Sequence, residues 1–319
     1  MKKEYLILIV LILLFSAYLF LHKENKDNTP LPEIKKIDIS QVTGLILEKK
    51  EGTIKFTRKD KKWFLTDKEY PADSPSVETM LDALKTLKLS ALVSENQDLK
   101  RYELNDENRI LVKAMKEAEP VFEFAAGKTA PTQNHTFVMI KNDKNIYHAS
   151  GNLKSHFDKA VEDYRDKNVL EFKEASLKRV TLEKDGVSRA LIPREVKKEE
   201  TKDKEKDKTA MTWAFEDGNP IDNQVFSTLL SMLSFLKCQK YPDSPTKTEL
   251  EKDKPLCKII LENESRLELI LFKGEKEEPI KGISSMNGYA FELSRFNGKE
   301  ILSNVEKLLG IQRDEKKQE

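Results

Sequence analysis

What most limits the fold of this chain is a stretch that occurs twice. Asp73, Val77, Met80, Leu81, Leu84, Leu87 and Lys88 align without a gap on Asp222, Phe226, Leu229, Leu230, Leu233, Leu236 and Lys237. Apolar positions three and four apart place one buried stripe on an amphipathic helix. The aspartate ahead of each stripe suits a helix start, where backbone amides lack partners. Internal repetition on this scale sets the architecture, so the flanking segments are compared before any motif is weighed.

The flanks repeat as well. Val42–Glu48, Thr53–Thr57 and Trp63–Leu65 precede the first stripe, and Arg179–Glu183, Ser188–Ile192 and Trp213–Phe215 precede the second. These short alternating runs, broken by charged turns, predict antiparallel strands. Beyond the helix, Leu104 and Ile110 have counterparts in Leu250 and Leu256. Strand-like Val121–Ala125 closes on Gly127, and Leu267–Leu271 on Gly274. A hairpin follows in each copy: Thr136–Ile140 with Ile146–Ala149, and Ser284–Met286 with Tyr289–Leu293 around Asn287-Gly288. Each copy ends on an apolar-periodic helix, Phe157–Tyr164 or Ile301–Leu309.

The predicted fold class is therefore α+β, a transmembrane helix followed by two tandem copies of an antiparallel sheet with helices, each β-β-β-α-β-β-β-β-α. Residues 1–21 are a cytoplasmic tip and anchor, 22–35 a tether, 36–172 the first repeat, 173–312 the second and 313–319 a polar tail. At 319 residues the chain is long enough for each repeat to bury its own core. The second repeat carries a charged run, Lys197–Lys208, where the first has only Arg58–Lys62. It lengthens a hairpin tip and reads as a solvated surface.

Tyr5–Leu21 contains no charged residue. As a helix it spans about 25 Å, slightly short of a hydrocarbon core, with Lys2, Lys3 and Lys23 able to snorkel at its ends. A cleaved signal peptide fits less well, since Ala17 follows Phe15 where a small residue is needed. The segment thus reads as an uncleaved signal-anchor. Lys2 and Lys3 place the N-terminus in the cytoplasm and everything from His22 onward outside it. Cys238 and Cys257 either pair in that compartment or stand as two buried thiols.

No residues here form a recognisable catalytic set. His22, His135, His148 and His156 show no ligand spacing with one another or with the cysteines. Ser284-Ser285 lacks a nucleophile elbow, and the second repeat has no histidine to serve as a base. The glycines are scattered, so no phosphate loop forms. Asp73 and Asp222 read as helix caps, and Trp63 and Trp213 as packing against the helix that follows. Lys+Arg 56 against Asp+Glu 55 gives no electrostatic reason to expect nucleic acid. The chain is read as a non-enzyme with no cofactor, no metal and no catalytic residue.

The strand pair leading to Trp63, Asp73 with its Val77–Leu87 helix, Tyr102-x-Leu104, and Tyr164-Arg165-Asp166-Lys167 ahead of Val169-Leu170 resemble a bacterial family. Its members are membrane-anchored domains of unknown function, often encoded beside gliding-motility-type ABC transporter genes. Glu103 stands where that family usually has glycine, and Arg109 where it has proline, a position Pro255 keeps in the second copy. The resemblance implies an accessory to an ABC transporter, with partners among the proteins of that complex and the membrane bound through residues 5–21. The expected function is an extracytoplasmic adaptor or scaffold. The alternative is a ligand-binding or sensing module using a cleft between the repeats.

Overall fold

The computed structural model describes residues 10–18, 30–34, 36–66, 69–96, 98–131, 133–196, 210–274 and 279–311. They divide into two compact units, Met1–Tyr164 and Arg165–Glu319. Both are dominated by antiparallel sheet with a few helices, so the chain is α+β.

The first unit opens with strands β1 (Gly44–Lys49), β2 (Gly52–Lys59), β3 (Lys62–Leu65) and β4 (Tyr70–Pro71). Asp60 and Lys61, at φ 48° and 67°, make a tight β2–β3 turn of the kind whose twist suits a two-residue hairpin. Helix α1 (Ser74–Lys85) and β5 (Leu89–Ser94) follow. The unit continues with β6 (Ile110–Lys116), β7 (Glu119–Thr129), β8 (His135–Ile140), β9 (Ile146–Ser150) and α2 (Leu153–Phe157). The strand order is β4-β3-β2-β1-β6-β7-β8-β9-β5.

Pairing fixes which side chains share a face. Leu45 opposes Phe56, and Leu47 opposes both Ile54 and Val112. This face takes Val77, Met80, Leu81 and Leu84 of α1 and Leu153 and Phe157 of α2. Phe124 meets Phe157 edge-on at 5.9 Å, and Phe56 meets Tyr164 at 5.2 Å.

The second unit holds β10 (Asn168–Glu171), β11 (Arg179–Lys184), β12 (Val187–Val196) and β13 (Ala210–Phe215), then α3 (Asn223–Leu233), β14 (Phe235–Lys237) and α4 (Lys247–Leu250). It closes with β15 (Cys257–Glu262), β16 (Arg266–Phe272), β17 (Lys281–Ser284), β18 (Ala290–Glu292) and α5 (Arg295–Leu309). Its main sheet runs β13-β12-β11-β15-β16-β17-β18. Element for element, that is the order β3-β2-β1-β6-β7-β8-β9 of the first unit. Trp213 packs on Phe226 of α3 at 5.0 Å.

Several expectations need correcting. The division falls at Tyr164/Arg165, ahead of 172/173, because β10 pairs with β14 of the second unit. Both matched helices stop short of Lys88 and Lys237. α1 ends where Thr86 folds its hydroxyl back onto the Asp82 carbonyl at 2.7 Å, and Leu87 then leads into β5, which pairs with β9. A period-three coincidence at Leu84–Leu87 hid that change. Phe157–Tyr164 is not one helix: α2 ends at Phe157, and a 3-10 turn covers Val161–Tyr164. In the last hairpin the first strand, Lys281–Ser284, ends where the expected Ser284–Met286 begins, while the second, Ala290–Glu292, falls within the expected Tyr289–Leu293.

The anchor expected over Tyr5–Leu21 is represented only by a helix over residues 10–18, all exposed. The rest of that stretch lies outside the described residues. Among the described residues no helix is long and apolar enough to cross a membrane. The tail 313–319, His22 and the charged run 197–208 also lie outside them. The strands that flank the run pair up to Val196 and Ala210. Cys238 and Cys257 are both buried and free.

Candidate functional site

Each sheet has a second face, turned away from its helices, and each is covered by the segment between the central helix and the next long strand. In the first unit, strand alternation turns Ala125 and Gly127 of β7 outward, together with Phe137 of β8 and Ile146 of β9. Leu104 and Ala130 complete a small buried cluster with Ala125, Phe137 and Ile146, against which Leu99 and Tyr102 pack. In the second unit Leu250 sits the same way on Phe272, Ile283 and Ala290. The Leu104–Leu250 equivalence thus marks one repeated structural device, a loop seated on the outer face of a sheet.

Local sequence builds both seats. A 3-10 turn, Leu99–Tyr102, begins at Asp98, whose side chain accepts from the Arg101 amide. It ends at Glu103 in the left-handed region at φ 55°, a conformation easiest for glycine. The Glu103 carboxylate meets Lys154 of α2 at 3.1 Å. Arg109, at the proline position, donates its backbone N–H to the Asn105 carbonyl at 3.0 Å. In the second unit Thr246 and Glu249 form a capping box on α4. Lys247 then donates to the Ser284 and Asn287 carbonyls at 2.7 and 2.8 Å, clamping the hairpin tip.

Gly127 is required for steric reasons. A Cβ there would lie 2.2 Å from the Tyr102 carbonyl oxygen and 2.9 Å from Leu104 Cγ.

Beside the first seat runs a row of rings. Arg101 lies over Tyr102 at 5.7 Å, Tyr102 meets Phe137 at 4.8 Å, Phe137 meets His148 at 4.8 Å, and His148 stacks on His135 at 5.4 Å. Phe137 and His148 are direct cross-strand partners. His148 Nε2 is buried and makes no hydrogen bond. Burial, and then the charge of His135, hold the His148 imidazole below its ordinary range. Because the two imidazoles stack at 28°, their in-plane lone pairs run side by side and do not converge on one point. Among the described residues no group of three or more His, Cys, Asp or Glu side chains is placed to hold a metal ion.

The other residues weighed from sequence have local roles. Asp73 accepts from the Ser76 amide, and Asp222 from the Gln224 and Val225 amides, at the starts of α1 and α3. Ser284 Oγ accepts from the Met286 amide and Ser285 Oγ from that of Glu268, so both hydroxyls are tied into the hairpin. The His156 carbonyl accepts from Tyr164 at 3.1 Å. Burial pushes the Cys238 thiol up to about 11 and the Cys257 thiol up to about 12, so neither is a ready nucleophile near neutral pH. A shallow depression of about 380 Å³ beside β12 and β13 has its charges matched. Arg189 stacks on Phe215 at 3.4 Å and meets Asp217, while Arg179 grips Glu216 with two bonds.

The fold and its two seated loops define an α+β protein built on one repeated sheet-and-helix plan. A family model for a domain of unknown function, DUF4340, matches residues 63–255, and the chain belongs to that family. The match begins at Trp63 in β3 and ends at Pro255 just before β15, so it runs across the division between the units. No curated protein and no solved structure matches the chain.

The ring row was not legible in the sequence. His135 and His148 are far apart in the chain and become neighbours only through hairpin register. A turn at Asn142–Asn145 shows that the two strands pair, but its centre would set Phe137 opposite Ser150, and the observed register sets it opposite His148.

Proposed function

We propose that the protein is a non-enzymatic adaptor, tethered to a bacterial inner membrane and presenting its two units to partners in the periplasm. The observation that carries this reading is the helix over residues 10–18. It has no charged side chain, and its large apolar residues run from 47% exposed at Val10 to 68% at Phe15. A continuous apolar surface of that kind needs lipid or protein to cover it. The uncharged stretch Tyr5–Leu21 around it, with Lys2 and Lys3 ahead, supports lipid as the cover and an N-terminus inside.

The partners proposed are membrane and periplasmic subunits of an ABC-type complex, on the strength of the family resemblance. In the second unit Phe235 on β14 and Met286 at the hairpin tip are 54% and 43% exposed. They flank Glu171 of β10, which pairs with Phe235 and donates its backbone N–H to Met286 Sδ at 3.0 Å. Such exposed apolar side chains suit protein contact.

The test is crosslinking in intact cells, followed by mild-detergent purification and mass spectrometry. Recovery of transporter permease and auxiliary subunits is the expected outcome, with loss of recovery in Phe235→Ser, Met286→Ser. Purification of the protein alone from crosslinked membranes would remove the adaptor reading.

A further inference from the structure

We propose that the stacked pair His135–His148 is a proton-operated catch on the first seated loop, residues 98–104, which proton uptake releases from the outer face of the sheet. The reasoning starts from the hydrogen-bonding needs of imidazole. A neutral ring carries one N–H, and a protonated ring carries two, each requiring an acceptor or water. His148 Nε2 is buried with no protein acceptor within hydrogen-bond reach. Placing a charge on His148 therefore requires its ring to turn toward water.

The neighbours of His148 offer no compensation. From β8 it faces Phe137 and the second imidazole of His135. From β5 its cross-strand partner is Ala91. Farther along the row come Tyr102 and the guanidinium of Arg101, itself a cation. Of the loop's carboxylates, Glu103 is engaged by Lys154 and Asp98 accepts from the Arg101 amide. His135 opposes a charge on His148 directly, and burial opposes it more.

The sign follows. A folded state that prefers neutral His148 keeps its full stability above the unfolded imidazole value of about 6.5, and loses it as pH falls through the lower folded value. The loss is local because Phe137, the ring that His148 supports, is also the floor under Tyr102. When His148 turns out, Phe137 loses a wall, and the 3-10 turn over it loses its seat. While one proton is taken up, the opening equilibrium shifts by about tenfold per pH unit.

The second unit supplies an internal control. Its loop sits on Phe272, Ile283 and Ala290, and that unit contains no histidine. The experiment is hydrogen–deuterium exchange of the full chain in detergent micelles at about pH 7.5 and about pH 5.5, spanning the range where imidazole titrates. Rates are corrected for intrinsic chemistry. Corrected exchange in 98–104 is expected to rise at the lower pH while that in 246–250 holds still, and His148→Phe is expected to abolish the difference. Equal behaviour of the two segments, or an undiminished rise in His148→Phe, overturns the proposal. Ring-carbon NMR of the wild-type histidines gives an answer even where His148→Phe fails to fold. The His148 resonance is expected to titrate below the ordinary imidazole value of about 6.5, and a midpoint at or above that value overturns the catch.

Discussion

Replacing Gly127 by alanine tests the seated loop most directly. The new Cβ would sit 2.2 Å from the Tyr102 carbonyl oxygen and 2.9 Å from Leu104 Cγ. The first distance is to backbone, so no side-chain rotation relieves it, and the loop must lift by about 1 Å. A gap of that size forfeits a quarter to a half of the dispersion energy across it. Leu104 is fully buried, and burying such a side chain is worth about 1.5–3 kcal/mol, so the lost contact comes to about 1 kcal/mol. Strain from overpacking adds about 1–3 kcal/mol. Against this, a glycine-to-alanine change ordinarily stabilises by about 0.4–1 kcal/mol through the unfolded chain. The net expectation is a loss of about 2 kcal/mol.

The assay uses a favourable accident of composition. The chain has two tryptophans, Trp63 in the first unit and Trp213 in the second. In a Trp213→Phe background, urea unfolding followed by Trp63 fluorescence reports the first unit alone, which avoids treating two units as one transition. Gly288→Ala, where the added Cβ meets nothing within 4 Å, is the control, followed by Trp213 in a Trp63→Phe background. Unchanged or increased stability in Gly127→Ala would refute the steric reasoning.

Three further predictions use the same reporters or simple chemistry. Leu104→Ala and Leu250→Ala, at sites 0% and 2% exposed, should each cost about 2–5 kcal/mol in their own unit's transition; a loss in only one unit would break the equivalence of the two seats. Asp73→Ala and Asp222→Ala remove the caps of α1 and α3 and should each cost about 1 kcal/mol, with serine at either position recovering most of it. Cys238 and Cys257 should resist alkylation in the native protein at pH near 8 and react fully in urea. Their raised folded values imply stability that is intact below the unfolded thiol range, about 8.5, and declines as pH climbs toward the folded values. Rapid native labelling of either thiol would contradict its burial.

Much of the fold was open to sequence reasoning because its strongest signals are local. Strands β1–β3 and β11–β13 announce themselves by alternation, and Asp73 and Asp222 by the apolar stripes they precede. What escaped was set by partners distant in the chain. β5 is a strand because β9 lies beside it, although Leu87 continued the helical spacing. β10 belongs to the second unit because β14 pairs with it, although a break at 172/173 looked natural. The need for glycine at 127 depends on a carbonyl from a loop that sequence alone does not bring near. Glu103 was visible as a departure from the family, but its meaning required the backbone angle.

The β12–β13 hairpin has a practical consequence. Its ladder is complete at the Val196–Ala210 pair, before the chain enters residues 197–209. Closure of the sheet is therefore indifferent to how much chain is spliced in between, and doubling such a connection costs only about 0.6 kcal/mol. Nature has already used this position once, since the first unit makes the same turn with Asp60 and Lys61 alone. An epitope or a small fluorescent domain placed there gives a label on the second unit that leaves both seated loops untouched.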